Sequence, residues 1–284
     1  MSRFDTKTDL VYISDYLSFP AGDVNVFTRN GLQVGQITNG MVSPEGLFVD
    51  KKRNLWVANI TDVLVFARGS LSPSQTLTDP IGPPVDVTVC PDGTVYVADL
   101  YDLSNTDHAS IQVYAPGHTS PTGNLSYAQD FRSPALTCDA AGNVFVSVLV
   151  RQSLPNAGVV VEFPAVKQAA VKDLGIVFQD VYGIKPDNAG NLLVSDFVAQ
   201  TITEYTEAGV ATGVQIATGK AQIFGLAVSR DGKYVLGADI DSSTGILWSF
   251  PQGKVKKVYT CCTRIGFPMQ SVHGVAFDPG QAGI

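Results

Sequence analysis

Five segments of the chain repeat one plan: SPEGLFVDKKRNLWVAN (43–59), PPVDVTVCPDGTVYVAD (83–99), RSPALTCDAAGNVFVSV (132–148), DVYGIKPDNAGNLLVSD (180–196) and QIFGLAVSRDGKYVLGAD (222–239). Each is a short apolar strand, a polar turn of Asp, Gly, Asn or Lys, and a second apolar strand that ends on a small residue, usually before Asp or Asn. The turns PDG, AAGN, NAGN and RDG supply the positive φ that a twisted antiparallel hairpin requires. A third strand follows each hairpin, in DVLVFARG, SIQVYAPG, GVVVEFPA, TITEYTEAG and GILWSFPQG, and weaker fourth strands follow in SQTLTDP, GNLSYAQD and GVQIATG. Four antiparallel strands per unit, repeated along the chain, make the blades of a propeller.

Aligned on the residue that opens the first strand, the units start at Glu45, Val85, Pro134, Tyr182, Phe224 and His273, at intervals of 40, 49, 48, 42 and 49 residues. The sixth unit, in QSVHGVAFDPGQAGI (270–284), has only its first strand. Its missing strands are at the other end of the chain, in TDLVYISD, DVNVFTRNG and LQVGQIT, between residues 8 and 38. Pairing the last strand with the first closes the ring and removes the exposed edges of an open array. The expected fold is therefore an all-β, six-bladed propeller forming one domain over 1–284, with blades starting near 44, 84, 133, 181, 223 and 272.

Composition agrees: 45% of the residues are apolar, only 16% are charged, and Gly (27) and Pro (16) are frequent, as many short strands and turns require. A net charge of −7 gives no basic stripe to displace counterions from a phosphate backbone, so nucleic acid is not an expected partner. No apolar run reaches the roughly 18 to 20 residues of a membrane-spanning helix. The chain reads as a soluble monomer, secreted or periplasmic if a leader was removed. The four cysteines, Cys90, Cys138, Cys261 and Cys262, show no metal-finger spacing. The adjacent pair Cys261 and Cys262 reads as two reduced thiols rather than a strained vicinal disulfide.

The pattern of strand, Asp-Gly turn, aliphatic-aromatic-Val-Ala-Asp/Asn and then a Val-x-Val-aromatic strand resembles the NHL-type repeat. It is similar in style to six-bladed propellers of the gluconolactonase/senescence marker protein, paraoxonase-like and strictosidine-synthase-like groups. The resemblance implies a site at the mouth of the central channel, where the innermost strands begin. In the lactonase group it also implies a metal held by a Glu and by Asn, Asn and Asp residues that open successive blades. Glu45-Gly46 matches the Glu-Gly start, whereas Val85, Pro134, Tyr182, Phe224 and His273 replace the other openers.

Glu45 and His273 are the central candidates, because they occupy equivalent positions in blades that closure makes neighbours. A carboxylate beside an imidazole can work as an acid–base pair, or can hold a divalent metal (calcium, magnesium or zinc) with Asp86 as a third ligand. Tyr182, Phe224, Tyr101, Arg151 and Arg264 are the candidates for substrate contact. The strand-end residues Asp15, Asn59, Asp99, Asp196 and Asp239 form an apparent acidic ring, read as structural because such side chains bond the amides of the following turn. Trp56, Tyr96, Phe145 and Trp248 fall on repeat positions and read as blade packing. No G-x-S-x-G, H-E-x-x-H, Walker or dinucleotide motif occurs, so nucleophilic serine catalysis has no support in the sequence. The expected function is a small-molecule hydrolase or lyase acting on an ester, lactone or phosphoester at the channel mouth. The alternative is a non-catalytic propeller that binds a protein or carbohydrate across its loop face.

Overall fold

The computed structural model describes residues 8–17, 22–103, 108–127, 131–150, 157–165, 170–260 and 269–280, the side chains of 131–134, 150 and 157 excepted. These residues form six four-stranded antiparallel sheets in a ring and no helix, a six-bladed β-propeller. The closing blade joins β1 (Leu10–Asp15), β2 (Asp23–Thr28) and β3 (Gln33–Ile37) to β24 (Val272–Asp278). The other blades run from β4 (Leu47–Val49) to β7 (Gln75–Thr78), from β8 (Pro84–Val89) to β11 (Gly123–Leu125), from β12 (Phe131–Cys138) to β15 (Lys172–Phe178), from β16 (Val181–Pro186) to β19 (Ala211–Ala217), and from β20 (Ile223–Val228) to β23 (Val255–Tyr259).

The hairpin turn at the end of each inner strand is built by the repeat itself. In three blades Asp50, Asp139 and Asp187 each accept from the amides two and four residues on, and also from the side chain of the Asn at the fourth place. The left-handed position in these turns is taken by Gly93, Gly142, Gly190 and Gly232, and by Arg53 in the one turn without a glycine. The left-handed conformation is uncommon for a non-glycine residue. Arg53 adopts it while its side chain bonds the buried carboxylate of Asp278 at 2.5 Å.

The core lies between the faces of adjacent blades. Phe48, Trp56, Val63 and Leu77 of one blade, for example, pack on Val87, Val97 and Tyr114 of the next. Burying each such large side chain is worth about 1.5–3 kcal/mol. Trp56, Phe145 and Trp248 are buried here, and Tyr96 packs against the neighbouring cluster, so all four do serve as blade packing. At closure β24 pairs with β1, Leu10 facing Asp278 and Val11 facing Phe277. Asp278 is fully buried and also takes the Nε of Arg68, which ties the closing blade to its neighbour from the next sheet.

Two further devices hold neighbouring blades together. Cys90 and Cys138, each at the end of an inner strand, are joined by a disulfide with Cα atoms 5.5 Å apart, a pairing that the spacing rules for cysteine motifs did not anticipate. Cys261 and Cys262 lie outside the described residues. The second device is a glycine directly after the opener in four blades. A Cβ on Gly46, Gly183, Gly225 or Gly274 would lie 2.1–3.2 Å from the opener carbonyl of the following blade, that of Val85, Phe224, His273 or Glu45. Absence of a side chain lets the inner strands converge on the channel.

Candidate active site at the channel mouth

Convergence of the inner strands brings Glu45 and His273 together. Glu45 is fixed through its backbone N–H, which donates to Ala58 O at 2.8 Å, and His273 is the second residue of β24. His273 Nδ1 lies 2.5 Å from Glu45 Oε2, and both side chains are about nine-tenths buried. On the other side of the ring, His273 Nε2 lies 3.0 Å from Ser271 Oγ. The strand join behind them is equally specified: Ser14 Oγ donates to Glu45 O at 2.6 Å and accepts from Gly274 N at 2.7 Å.

Aromatic rings flank the imidazole. Tyr16 stacks on it with centroids 4.8 Å apart and planes 8° from parallel, and Phe224 meets it at 4.6 Å with its plane tilted by 33°. Phe224 in turn stacks on Tyr182 at 4.1 Å, and Tyr182 meets Phe197 edge-on at 5.5 Å. The Tyr182 hydroxyl bonds the carboxylate of Asp180. An arc of rings therefore runs around the mouth from the closing blade through the two preceding ones.

The channel has an empty volume of about 600 Å³ counting its open mouth. A volume of that order falls within the range of small-molecule pockets. Glu45, Asp86, Lys185, Tyr182, Phe224 and His273 line it, with Leu47, Ile184, Leu226 and Val275 as apolar wall.

Asp86 stands where other blades have the glycine after the opener. Its Oδ2 accepts from Leu136 N at 3.0 Å and its Oδ1 from Val87 N at 2.9 Å. Burial pushes its carboxyl up, against the pull of Lys185 and these amides. Lys185 Nζ donates to Leu136 O at 3.2 Å, so Asp86 and Lys185 grip the two ends of one residue in the blade between them.

The candidate metal ligands are thus turned towards protein partners: both imidazole nitrogens and both Asp86 oxygens are engaged. Among the described residues no three His, Cys, Asp or Glu side chains converge as a metal ion requires. Among the described residues, Glu45, His273 and Asp86 therefore do not converge as a divalent-cation site.

Of the candidate substrate contacts, Tyr182 and Phe224 line the channel, while Leu100 rather than Tyr101 reaches it. Arg151 and Arg264 lie outside the described residues. The strand-end ring is structural at Asp15, Asp196 and Asp239, each of which accepts amides of the adjoining turn. Asp99 departs from that pattern, bonding the side chains of Ser110 and Gln112 instead. Ser271, Tyr16 and Lys185 were not singled out from the sequence. Alternation along the last strand carries a signal for Ser271, since residues two apart share a face.

No family model matches this chain, and no curated protein matches it. Solved structures do resemble it. A chain of a nidogen/laminin complex superposes with a TM-score of 0.70 at 12% identity, over 96% of this chain and 100% of that one. Hydrazine synthase from Kuenenia stuttgartiensis gives 0.66 at 14% identity, over 84% and 80%. A candidate 6-phosphogluconolactonase from Bacteroides fragilis gives 0.63 at 13%, over 96% and 98%. At these identities the likeness extends to the propeller architecture.

Proposed function

We propose that this propeller hydrolyses a small ester or lactone in the channel mouth, with Glu45 and His273 as its acid–base pair. The observation that carries the reading is the 2.5 Å contact between Glu45 Oε2 and His273 Nδ1 on the wall of the channel. A carboxylate on Nδ1 fixes the tautomer in which Nδ1 carries the proton and Nε2 presents a lone pair, the form needed in a general base. Tyr16 and Phe224 hold the ring plane, and the apolar wall below accepts a short acyl group or the carbon skeleton of a lactone. The NHL-type repeat pattern and a candidate lactonase among the structural neighbours support the same reading at the level of architecture.

A second reading, a non-catalytic propeller that binds a protein or carbohydrate on its loop face, is favoured by one observation. Both imidazole nitrogens already have protein partners, as a purely structural histidine would. A screen with p-nitrophenyl acetate and butyrate, and with five- and six-membered lactones, separates the two. The hydrolase reading expects turnover that falls about 10²–10⁴-fold in Glu45→Gln and His273→Ala. Absence of turnover would leave the binding propeller, and turnover at rates unchanged in both variants would overturn Glu45 and His273 as its acid–base pair.

A further inference from the structure

His273 has a second polar neighbour whose placement completes a chemical unit. Ser271 Oγ lies 3.0 Å from Nε2 while Glu45 Oε2 lies 2.5 Å from Nδ1, so hydroxyl, imidazole and carboxylate are connected in series through opposite ring nitrogens. We propose that Ser271 is the nucleophile of the hydrolytic site, activated by His273 and Glu45; this rests on the hydrolase reading above.

Three observations support the assignment. First, the connectivity is the one that activates serine: Nδ1 keeps its proton and donates it in a hydrogen bond to Glu45, which leaves the Nε2 lone pair to accept the hydroxyl proton. Such units are recognised by geometry, and the same arrangement is reached from unrelated chain orders, so absence of a G-x-S-x-G stretch carries no weight against it. Second, the serine is held in place. Its N–H donates to Asp15 Oδ1 at 3.0 Å and its carbonyl accepts from Tyr16 N at 2.8 Å, while Gln270 N donates to Asp15 Oδ2 at 2.9 Å. Asp15 is therefore a positioning residue for the loop that carries Ser271. Third, the rings of Tyr16 and Phe224 lie 4.8 and 4.6 Å from the imidazole, and aromatic faces favour the cation that forms when the proton arrives.

The steps balance without a further reagent. Ser271 Oγ attacks the acyl carbon as its proton passes to His273 Nε2. The acyl–oxygen bond then breaks, and the departing alkoxide takes that proton. Water attacks the acyl-serine, its proton passes to Nε2, and the bond to Oγ breaks as Oγ recovers a proton. In a lactone the departing alkoxide stays tethered to the acyl group.

The test is to treat the full chain with a small alkyl fluorophosphonate and to follow intact mass, the modified peptide, and turnover of p-nitrophenyl butyrate. The proposal expects one adduct on Ser271, formed in step with loss of turnover. It also expects an adduct-free Ser271→Ala that melts like the parent and is slower by about a thousandfold. Turnover without an adduct on Ser271, or Ser271→Ala working at the parental rate, overturns the nucleophile and leaves the Glu45–His273 pair standing. An adduct without turnover supports the activated serine and overturns the hydrolase reading. Neither adduct nor turnover overturns both.

Discussion

Glu45 Oε2 and His273 Nδ1 meet at 2.5 Å although 228 residues separate them, because the ring closes between the blades that carry them. The contact is both a site feature and a closure contact, and the two roles make different demands on substitution. A double-mutant cycle with Glu45→Gln, His273→Gln and the pair, read by urea unfolding, should return a coupling of about 1–3 kcal/mol. Additive effects would mean that the two side chains do not act on each other.

The glycine that follows four of the openers makes a sharper demand. A Cβ on Gly274 would lie 2.1 Å from Glu45 O, a backbone atom that Ser14 Oγ already holds in place. Gly274→Ala should therefore destabilise the protein by about 2–4 kcal/mol, as overpacking against fixed backbone does. Gly123 has open space around its Cβ position, and Gly123→Ala should change stability by less than about 0.5 kcal/mol. Thermal melting of the two variants checks the contrast; equal shifts would remove close approach as the reason for the glycine.

The cysteines support a third expectation. Cys90 and Cys138 are buried and bonded to each other, closing a loop 48 residues apart in sequence and joining two blades. Reduction, or the double substitution Cys90→Ala/Cys138→Ala, should cost about 2–4 kcal/mol on the loop-entropy account. The unfolding midpoint with and without a reductant measures it, and a midpoint insensitive to reductant in the unfolded baseline-corrected curves would contradict it.

Blades were legible in the sequence because each is a local antiparallel unit whose turns declare themselves through Asp, Gly and Asn. Closure was legible because one strand had no successor and three had no predecessor. Contacts between blades were legible only where two residues occupy the same repeat position in neighbours. Glu45 and His273 do so, whereas Cys90 is the fifth residue after its opener and Cys138 the fourth after its own, so repeat position does not align the two cysteines. Ser271, Tyr16 and Lys185 depend on strand register and on how deeply each inner strand enters the channel. Register shifts at Ile13/Asp15 and at Val181/Gly183 alter the alternation close to Tyr16 and Lys185, and no composition or spacing rule reveals such shifts in advance.

Asp99 gives the pH dependence. Its side chain is fully buried, Ser110 Oγ donates to Oδ2 at 2.6 Å, and Oδ1 has no hydrogen-bond partner among the described residues. Burial, with the nearby carboxylate of Asp79 adding to it, pushes its carboxyl up to about 8. In the unfolded chain an aspartate titrates near ~3.9. Between those values the folded protein holds a proton that the unfolded chain has released, so stability falls as pH rises through this interval. The contribution is complete below about pH 4 and is lost as pH passes through about 8. Asp99→Asn keeps the neutral shape at every pH, so it should leave stability at pH 4.5 within about 1 kcal/mol of the parent and flatten the decline between pH 5 and 9. Urea midpoints of parent and variant across that range decide the matter: parallel curves would show that Asp99 does not carry the proton.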